Sequence, residues 1–173
     1  MRSCLMGACI IALHVRSICA RSRFMSVRSL SAQRVSCSTV GRFWCGLAFE
    51  RVALQHEEQI KRKLGISGVI TRTYGWRYVA DGEDVVGAQV DLVIDRNDRV
   101  VNICEVKYRR GEELYSISDE EGRKLVNKRE AYIRETGTTS AVHLTMVTVS
   151  GLKHNAAWND VQSEVTLDDL FKE

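Results

Sequence analysis

The chain has 173 residues, of which 45% are hydrophobic and 27% are charged, and its net charge is +3. This length accommodates one domain with a substantial core, and the composition is that of a globular protein rather than a fibrous or disordered one. The net charge averages two unlike segments. Residues 1–43 contain seven Arg and no Lys, Asp or Glu, whereas residues 44–173 contain 18 Lys and Arg against 22 Asp and Glu, a net charge of −4. We therefore expect one folded domain at 44–173.

The N-terminal segment, residues 1–43, allows three interpretations. Arg2 followed by the apolar run Cys4–Val15 resembles a short signal-peptide core, and the richness in Arg and Ser without acids resembles a transit peptide. The run is too short to span a bilayer, so no membrane association is expected. The third interpretation is a disordered or artefactual tail, such as a misread start. The lack of Lys, Asp and Glu and the abrupt end of the segment near Trp44 favour this third interpretation.

The six cysteines do not form a pattern typical of a metal or disulfide framework. No C-x-x-C pair occurs, and only two of the cysteines belong to the expected domain. Reduced thiols and a cytoplasmic location are therefore expected. The positions are Cys4, Cys9, Cys19, Cys37, Cys45 and Cys104.

The expected domain starts with a helix and a strand. Leu47–Leu64 places apolar residues at helical spacing, and Gly65 follows as a stop signal. Val69–Tyr78 is rich in β-branched and aromatic residues and predicts a strand, which is followed by a polar turn at 81–84.

Two further strands lie close together in sequence. Ala88–Asp95 and Val100–Tyr108 are both largely apolar, and the four polar residues 96–99 separate them. Because so short a connection permits only a hairpin, we expect the two strands to be antiparallel neighbours.

The second half continues with a helix at Asp119–Thr136 and a strand at Ser140–Ser150. A short strand around Val165 follows, and Thr166 is then expected to cap a final helical turn in partnership with Asp169. The order is α-β-β-β-α-β, which predicts an α/β fold with a mixed sheet flanked by helices.

Acidic and basic residues interrupt the two apolar hairpin strands. Because side chains alternate along a strand, Glu105 and Lys107 should project from one face, about 7 Å apart. On the neighbouring strand, strict alternation places Gln89 and Asp91 on one face together with Val93 and Asp95. Asp91 can then lie beside Glu105.

Carboxylates in an apolar strand are costly unless they bind a cation or are otherwise paired. Mg²⁺ or Mn²⁺ takes oxygen ligands and usually binds through one or two carboxylates plus water and phosphate. Such an ion polarises a phosphoryl oxygen and lowers the pKa of bound water. Lys107 would orient or deprotonate that water, or stabilise developing charge. The chemistry indicated is phosphodiester hydrolysis.

The arrangement of these residues resembles that of the PD-(D/E)XK nuclease superfamily. Asp91 is followed fourteen positions later by Glu105 and then, after one residue, by Lys107, within an α-β-β-β-α-β order. The resemblance implies a restriction-endonuclease-like fold acting on DNA. It implies that Asp91 and Glu105 are the metal carboxylates and that Lys107 is the catalytic lysine. Glu50 matches the upstream acidic residue, which is a third metal ligand in that comparison, and Gln89 is a weaker supporting match.

A narrower resemblance covers residues 44–173. It is to the nuclease-like domain that follows an AAA-type ATPase module in bacterial and archaeal proteins, so an ATPase partner is an expectation. The ATPase module itself is missing, because no Gly-Lys pair of a phosphate-binding loop occurs. The strings that carry the resemblance are Gly46–Glu50, Gly87–Arg96, Cys104–Lys107 and Leu167–Phe171.

Less specific interpretations compete at each position. Glu105 and Lys107 could be a solvated surface pair, and Glu50 could be an ordinary helix-surface carboxylate. Arg109 and Arg110 lie where phosphates would pass, but two loop arginines need no ligand. A catalytically inactive nuclease-fold module that binds nucleic acid or protein is the alternative function.

Overall fold

The computed structural model describes residues 39–79, 87–111 and 113–172. The interpretation of residues 1–38 and the turn predicted at 81–84 lie outside this part of the chain. In chain order the elements are α1 (Thr39–Gln55), α2 (Glu57–Lys63), β1 (Thr71–Tyr78), β2 (Ala88–Arg96), β3 (Val100–Lys107), α3 (Asp119–Thr136), β4 (Ala141–Thr148), a 3-10 helix (Ala156–Asp160), β5 (Ser163–Thr166) and α4 (Leu167–Leu170).

The five strands form one mixed sheet in the order β1-β2-β3-β4-β5. The β1–β2 and β2–β3 pairs are antiparallel, as the short connection at 96–99 requires. The β3–β4 and β4–β5 pairs are parallel, because α3 and the 3-10 helix carry the chain back between them. The predicted α/β fold, with a mixed sheet flanked by helices, is confirmed.

The helices cover the two faces of the sheet with separate cores. The first face packs against α1, α2 and α4, and Cys104 and Val106 of β3 point into it. The second face packs against α3, and Val101 and Ile103 point into it. The alternation predicted for β3 is therefore present. Because the strand is regular, it fixes the directions in which its charged side chains project.

The N-terminal helix differs from its predicted form. One helix at Leu47–Leu64 was expected, whereas α1 and α2 are separated at His56, whose backbone leaves helical geometry (φ −112°, ψ 34°). The ring Nδ1 of His56 donates to the carbonyl of Val52 at 2.8 Å, and the ring packs against Phe171 with 4.8 Å between centroids. These contacts hold His56 at the break. In addition, α1 begins at Thr39, so the expected domain boundary at residue 44 falls inside a helix.

The helix α3 has the predicted bounds. Ser118 and Glu121 form a capping box at its start. Gly137 closes it in the left-handed conformation (φ 61°), and its N–H donates to the carbonyl of Ile133.

The C-terminal turn is tied to α2 through one buried acid. Thr166 and Asp169 form the predicted capping box of α4. Asp169 also binds the ammonium groups of Lys63 at 3.1 Å and Lys172 at 2.7 Å. These partners hold the pKa of Asp169 well below its usual range despite its burial.

Within the three described ranges, no helix combines the length and the apolar character that a membrane crossing requires.

Candidate metal centre

A β-bulge sets the position of Asp91. The register of β1 against β2 shifts between Tyr74 and Trp76, so that two residues of β2, Asp91 and Leu92, oppose the single residue Gly75. A bulge bends the strand and redirects its side chains. The position of Asp91 therefore depends on the pairing of β2 with β1.

The bulge also overturns one prediction. Val90 and Val93 both pack in the core of the second face, although they are three positions apart. Strict alternation therefore breaks between them, and the expected single face of Gln89, Asp91, Val93 and Asp95 is wrong. Gln89 is exposed and pairs with β1, and among the described residues no hydrogen bond joins it to the acids.

The strands β2 and β3 separate where the acids lie. Their last paired residues are Leu92 and Cys104. Beyond them, the backbone N–H of Val106 donates to Oδ2 of Asp91 at 3.2 Å. A carboxylate thus takes the place of a backbone acceptor at the separated end of the ladder. This hydrogen bond ties the Asp91 carboxylate to the backbone of β3 and fixes its orientation.

Glu105 is the buried acid of the site. Its side chain is only 6% exposed, and its two oxygens bind two ammonium groups. Oε1 lies 2.8 Å from Nζ of Lys107, and Oε2 lies 2.6 Å from Nζ of Lys128. Glu105 and Lys107 project together as alternation predicted, and the two ion pairs satisfy a charge that burial alone would make costly.

Lys128, on α3, was missed by the sequence analysis. The sequence does indicate that Lys128 is partly buried. Leu125, Ala131 and Tyr132 form the buried stripe of α3, and Lys128 lies between them at helical spacing. A lysine within a buried stripe is expected to meet a carboxylate. Which carboxylate it meets depends on the packing of α3 against the sheet.

Burial and neighbouring negative charge raise the pKa of two of the acids, Asp91 and Glu50. The pKa of Asp91 is raised by burial and then by the charge of Glu105. The pKa of Glu50, on α1, is raised by burial and then by the charge of Asp91, with a smaller contribution from Glu105. Negative charge is therefore in excess around Asp91 and Glu50. A bound cation would relieve this repulsion.

Lys107 is held in its charged form. Burial alone would lower the pKa of its ammonium, but the Coulomb attraction and hydrogen bond of Glu105 outweigh burial, and the pKa is raised. By contrast, burial raises the pKa of the Cys104 thiol to about 12. Cys104 therefore cannot supply a thiolate nucleophile near pH 7.

The donor set fits a hydrated hard cation rather than a closed cage. Across the described ranges, no three His, Cys, Asp or Glu side chains form a group that could hold a metal ion. Mg²⁺ does not require such a group, because it keeps several waters and uses one or two carboxylates. Asp91 and Glu105 fit that requirement. Glu50 is coupled to them by charge.

An open groove lies on the side of α1, and its lining does not include Asp91 or Glu105, the latter of which faces a separate cavity with Lys128. The groove has a volume of about 670 Å³, and its lining includes Glu50, Lys107, Arg109 and Arg110. Both arginines are exposed, and the guanidinium of Arg109 pairs with Glu113 at 2.9 Å. The predicted phosphate-contacting arginines thus share a groove with Glu50 and Lys107, although Arg109 already has an acidic partner.

Comparison with known proteins adds little. No family model and no curated protein matches the chain. Solved structures similar to it include the crystal structure of a protein of unknown function, AF1548, with 14% sequence identity and a TM-score of 0.45. The match covers 69% of this chain and 64% of that one, so the chain spans less than two thirds of that protein. A likeness this weak carries no argument about function.

Proposed function

We propose that the domain is a Mg²⁺- or Mn²⁺-dependent phosphodiester hydrolase of PD-(D/E)XK type that acts on DNA in the cytoplasm. The observation that supports this best is the charge coupling of Asp91 to Glu105 and Lys107 at the separated end of β2 and β3. Two of these groups are acids in a shared repulsive environment, and the third is a protonated amine 2.8 Å from one of them.

In this proposal Asp91 and Glu105 would hold the ion, and Glu50 would add negative charge nearby. A bound ion would supply polarisation of the phosphoryl oxygen and a lowered pKa for a bound water. Burial lowers the pKa of Lys107, but the charge and hydrogen bond of Glu105 raise it above its ordinary value. An ammonium at this position would orient the water and stabilise the charge that develops on phosphate.

Arg109 and Arg110 indicate where the DNA substrate would bind. They follow Lys107 after one intervening residue, Tyr108, and line the same groove. A DNA backbone that passes along this groove would place phosphates against their exposed guanidinium groups.

The test is cleavage of plasmid and single-stranded DNA in the presence of Mg²⁺ or Mn²⁺. Glu105→Gln and Lys107→Met should each lower the rate by about 100-fold or more, a size typical of a lost charge-stabilising group. Glu130→Gln and Lys153→Met are matched controls, because both positions are exposed and neither lines the groove. Equal cleavage by wild type and Glu105→Gln would remove the assignment.

A second candidate is an inactive nuclease-fold module that binds nucleic acid or protein, for instance as the accessory domain of a separate AAA-type ATPase. Three observations favour it: the net charge of −4 at 44–173, the absence of a three-acid group in the described ranges, and the neutralisation of Glu105 by two lysines. Calorimetric titration with Mg²⁺ separates the candidates. An inactive module of this kind gives no binding heat, and the enzyme must give one.

A further inference from the structure

The strand β1 forms one edge of the sheet. Among the described residues it pairs with β2 alone, over Thr71–Tyr78. Edge strands are usually protected against further pairing by proline, lysine or a bulge. The chain contains no proline, and β1 contains no lysine. The extra residue of the bulge lies in β2, so the backbone of β1 is regular along its outer side.

One hydrogen bond shows which backbone groups of β1 face outward. The carbonyl of Ile70 accepts from the N–H of Asn97, so the backbone groups of Ile70 point towards the β2 side. Successive residues of a strand point their N–H and C=O groups to opposite sides. Four residues of β1 therefore direct both groups to the open edge. They are Thr71, Thr73, Gly75 and Arg77.

Exposed apolar side chains lie at both ends of this edge. Ile70 is 76% exposed and Val79 is 70% exposed, more than any other large hydrophobic residue in the described ranges. Tyr74, midway along β1, is also exposed. A further strand beside β1 would cover this apolar surface together with the open backbone groups.

We propose that β1 pairs with β1 of a second copy of the chain, antiparallel and about a two-fold axis at Tyr74. In this register Thr71 lies opposite Arg77 of the second copy, and Thr73 lies opposite Gly75. Each such pair exchanges two hydrogen bonds, and the two-fold axis repeats both pairs, which gives about eight hydrogen bonds. Every outward-facing N–H and C=O of the four residues then has a partner.

The charges of β1 are compatible with this self-pairing. Residues that lie opposite each other in an antiparallel pair both point their backbone groups into it or both point away from it. Arg72 points towards β2 and Arg77 towards the open edge, so these two arginines cannot be directly opposed, and repulsion of that kind is avoided. Arg72 instead lies opposite Trp76 of the second copy, whose indole attracts a guanidinium.

The exposed ends of the edge also gain apolar partners in this register. Ile70 lies opposite Tyr78 of the second copy, and Val79 lies opposite Val69. A strand from another protein would need this pattern independently, whereas a second copy carries it by symmetry. The surface of β1 therefore fits a second copy of the chain, and this interface does not rest on the proposed function.

The first test is the mass of the full chain in solution, measured by sedimentation equilibrium. One chain has a mass of 19.6 kDa, and the expected species has twice that mass. Ile70→Lys places an ammonium against Tyr78 of the second copy and should raise the dimer dissociation constant by about 10-fold or more. Thr73→Pro removes an outward N–H, which an edge strand tolerates, and should give a monomer.

The matched control is Leu47→Lys, which adds the same charge at an exposed apolar residue of α1. This variant should remain dimeric. Thermal unfolding of each variant shows whether it folds. If Thr73→Pro does not fold, Ile70→Lys still tests the interface, because Ile70 is an exposed residue outside β1.

The second test addresses the register. Tyr74→Cys should form a disulfide between the two copies on mild oxidation, because the opposed Cα atoms of such a pair lie about 4.5 Å apart. Arg72→Cys is the control, since two copies of this position lie about 14 Å apart along the strands. Peptide mass spectrometry identifies a link between the introduced cysteines, and oxidised wild type gives the background from the natural ones.

The outcomes separate the possible occupants of this edge. A wild type that is monomeric at about 100 μM overturns the proposal, and the edge is then left to a strand from another protein. A dimer that persists in folded Ile70→Lys and Thr73→Pro also overturns it. Dissociation by Leu47→Lys alone places the interface on α1. A dimer in which Tyr74→Cys forms no link overturns the register about Tyr74.

Discussion

At the scale of single residues, Asp91 lies in an environment that disfavours its charge. Burial and the nearby Glu105 raise its pKa, so the ionised carboxylate destabilises the folded protein at neutral pH when no cation is bound. Residues placed at such a cost are characteristic of functional sites. Asp91 is therefore a position where stability and activity should respond to mutation in opposite directions.

We expect Asp91→Asn to stabilise the metal-free protein at pH 7 by about 0.5–1 kcal/mol while abolishing Mn²⁺ binding and DNA cleavage. Asparagine keeps an oxygen that can accept from the N–H of Val106, so the local hydrogen bond survives. Urea unfolding in EDTA measures the stability. The control is the exposed Asp98, whose pKa is lowered by its hydrogen bond to Arg96. Asp98→Asn should therefore not stabilise the folded protein.

The sign of this effect also fixes its pH dependence. Because the pKa of Asp91 is raised in the folded state, its ionised carboxylate lowers the stability of the wild-type protein at pH values above that pKa. Below the unfolded value of about 3.9, Asp91 is neutral in both states. The advantage of Asp91→Asn should therefore disappear in acid. An advantage that is constant from pH 3 to pH 8 would contradict an electrostatic origin.

The raised pKa values also predict how metal affinity depends on pH. Protons compete with the cation for Asp91 and Glu50, both of which ionise at higher pH than an exposed carboxylate. Mn²⁺ affinity should therefore rise from pH 5 to pH 7. The rise of Mn²⁺ affinity with pH should be smaller in Glu50→Gln. The same titration of Glu130→Gln provides the control, since Glu130 is an exposed α3 residue.

At the scale of elements, the hairpin between β2 and β3 contains a backbone conformation unfavourable to its residue. Arg99 has φ 63°, in the left-handed region that costs a side chain other than glycine about 1–2 kcal/mol. Arg99→Gly should stabilise the protein by about 0.5–1 kcal/mol, since the greater freedom of glycine in the unfolded chain offsets part of the relief. Chemical unfolding measures this, and Arg99→Ala, which keeps a Cβ, should not stabilise.

The turn that closes the chain depends on Asp169. Its buried carboxylate accepts from Thr166 and binds Lys63 of α2 and Lys172. Asp169→Asn should destabilise the protein by about 1–3 kcal/mol, the range for hydrogen bonds to a charged group. The neighbouring Asp168 is exposed, and Asp168→Asn should change the stability by less than about 0.5 kcal/mol.

The pH dependence of Asp169 has the opposite sign to that of Asp91. Its folded pKa is well below its usual range, so its stabilising contribution is present above the unfolded value of about 3.9. The contribution is lost as pH falls towards the folded pKa. Unfolding curves of wild type and Asp169→Asn should therefore converge below about pH 4, and divergence there would exclude this assignment.

The elements also show what the sequence can and cannot predict. Alternation placed Glu105 beside Lys107 correctly, because β3 is a regular strand between two neighbours. The bulge at Asp91 depends on how β2 pairs with Gly75 of β1, a contact between distant strands that local periodicity does not contain. The ion pair of Lys128 depends on the packing of α3. The break at His56 depends on contacts with the C-terminal turn.

At the scale of the whole molecule, the net charge of the domain disfavours non-specific binding to DNA. Residues 44–173 carry a net charge of −4, so attraction for phosphate must come from local patches. Two such patches lie at opposite ends of β2 and β3. Arg109 and Arg110 line the groove that contains Glu50 and Lys107, whereas Arg72 and Arg99 line a groove at the hairpin end, near Ser140.

The salt dependence of DNA affinity distinguishes these patches. Each phosphate contact contributes about −0.9 to the slope of log K against log salt. Arg109→Ala/Arg110→Ala should make the slope shallower by about 1–2, the lower figure applying if Glu113 keeps Arg109 from phosphate. Arg72→Ala/Arg99→Gly removes the same charge at the hairpin end and should leave the slope unchanged. Binding is measured in EDTA, where cleavage is blocked. If both double variants lower the slope equally, DNA is held by diffuse charge, and the groove lined by Glu50 and Lys107 is not where the substrate binds.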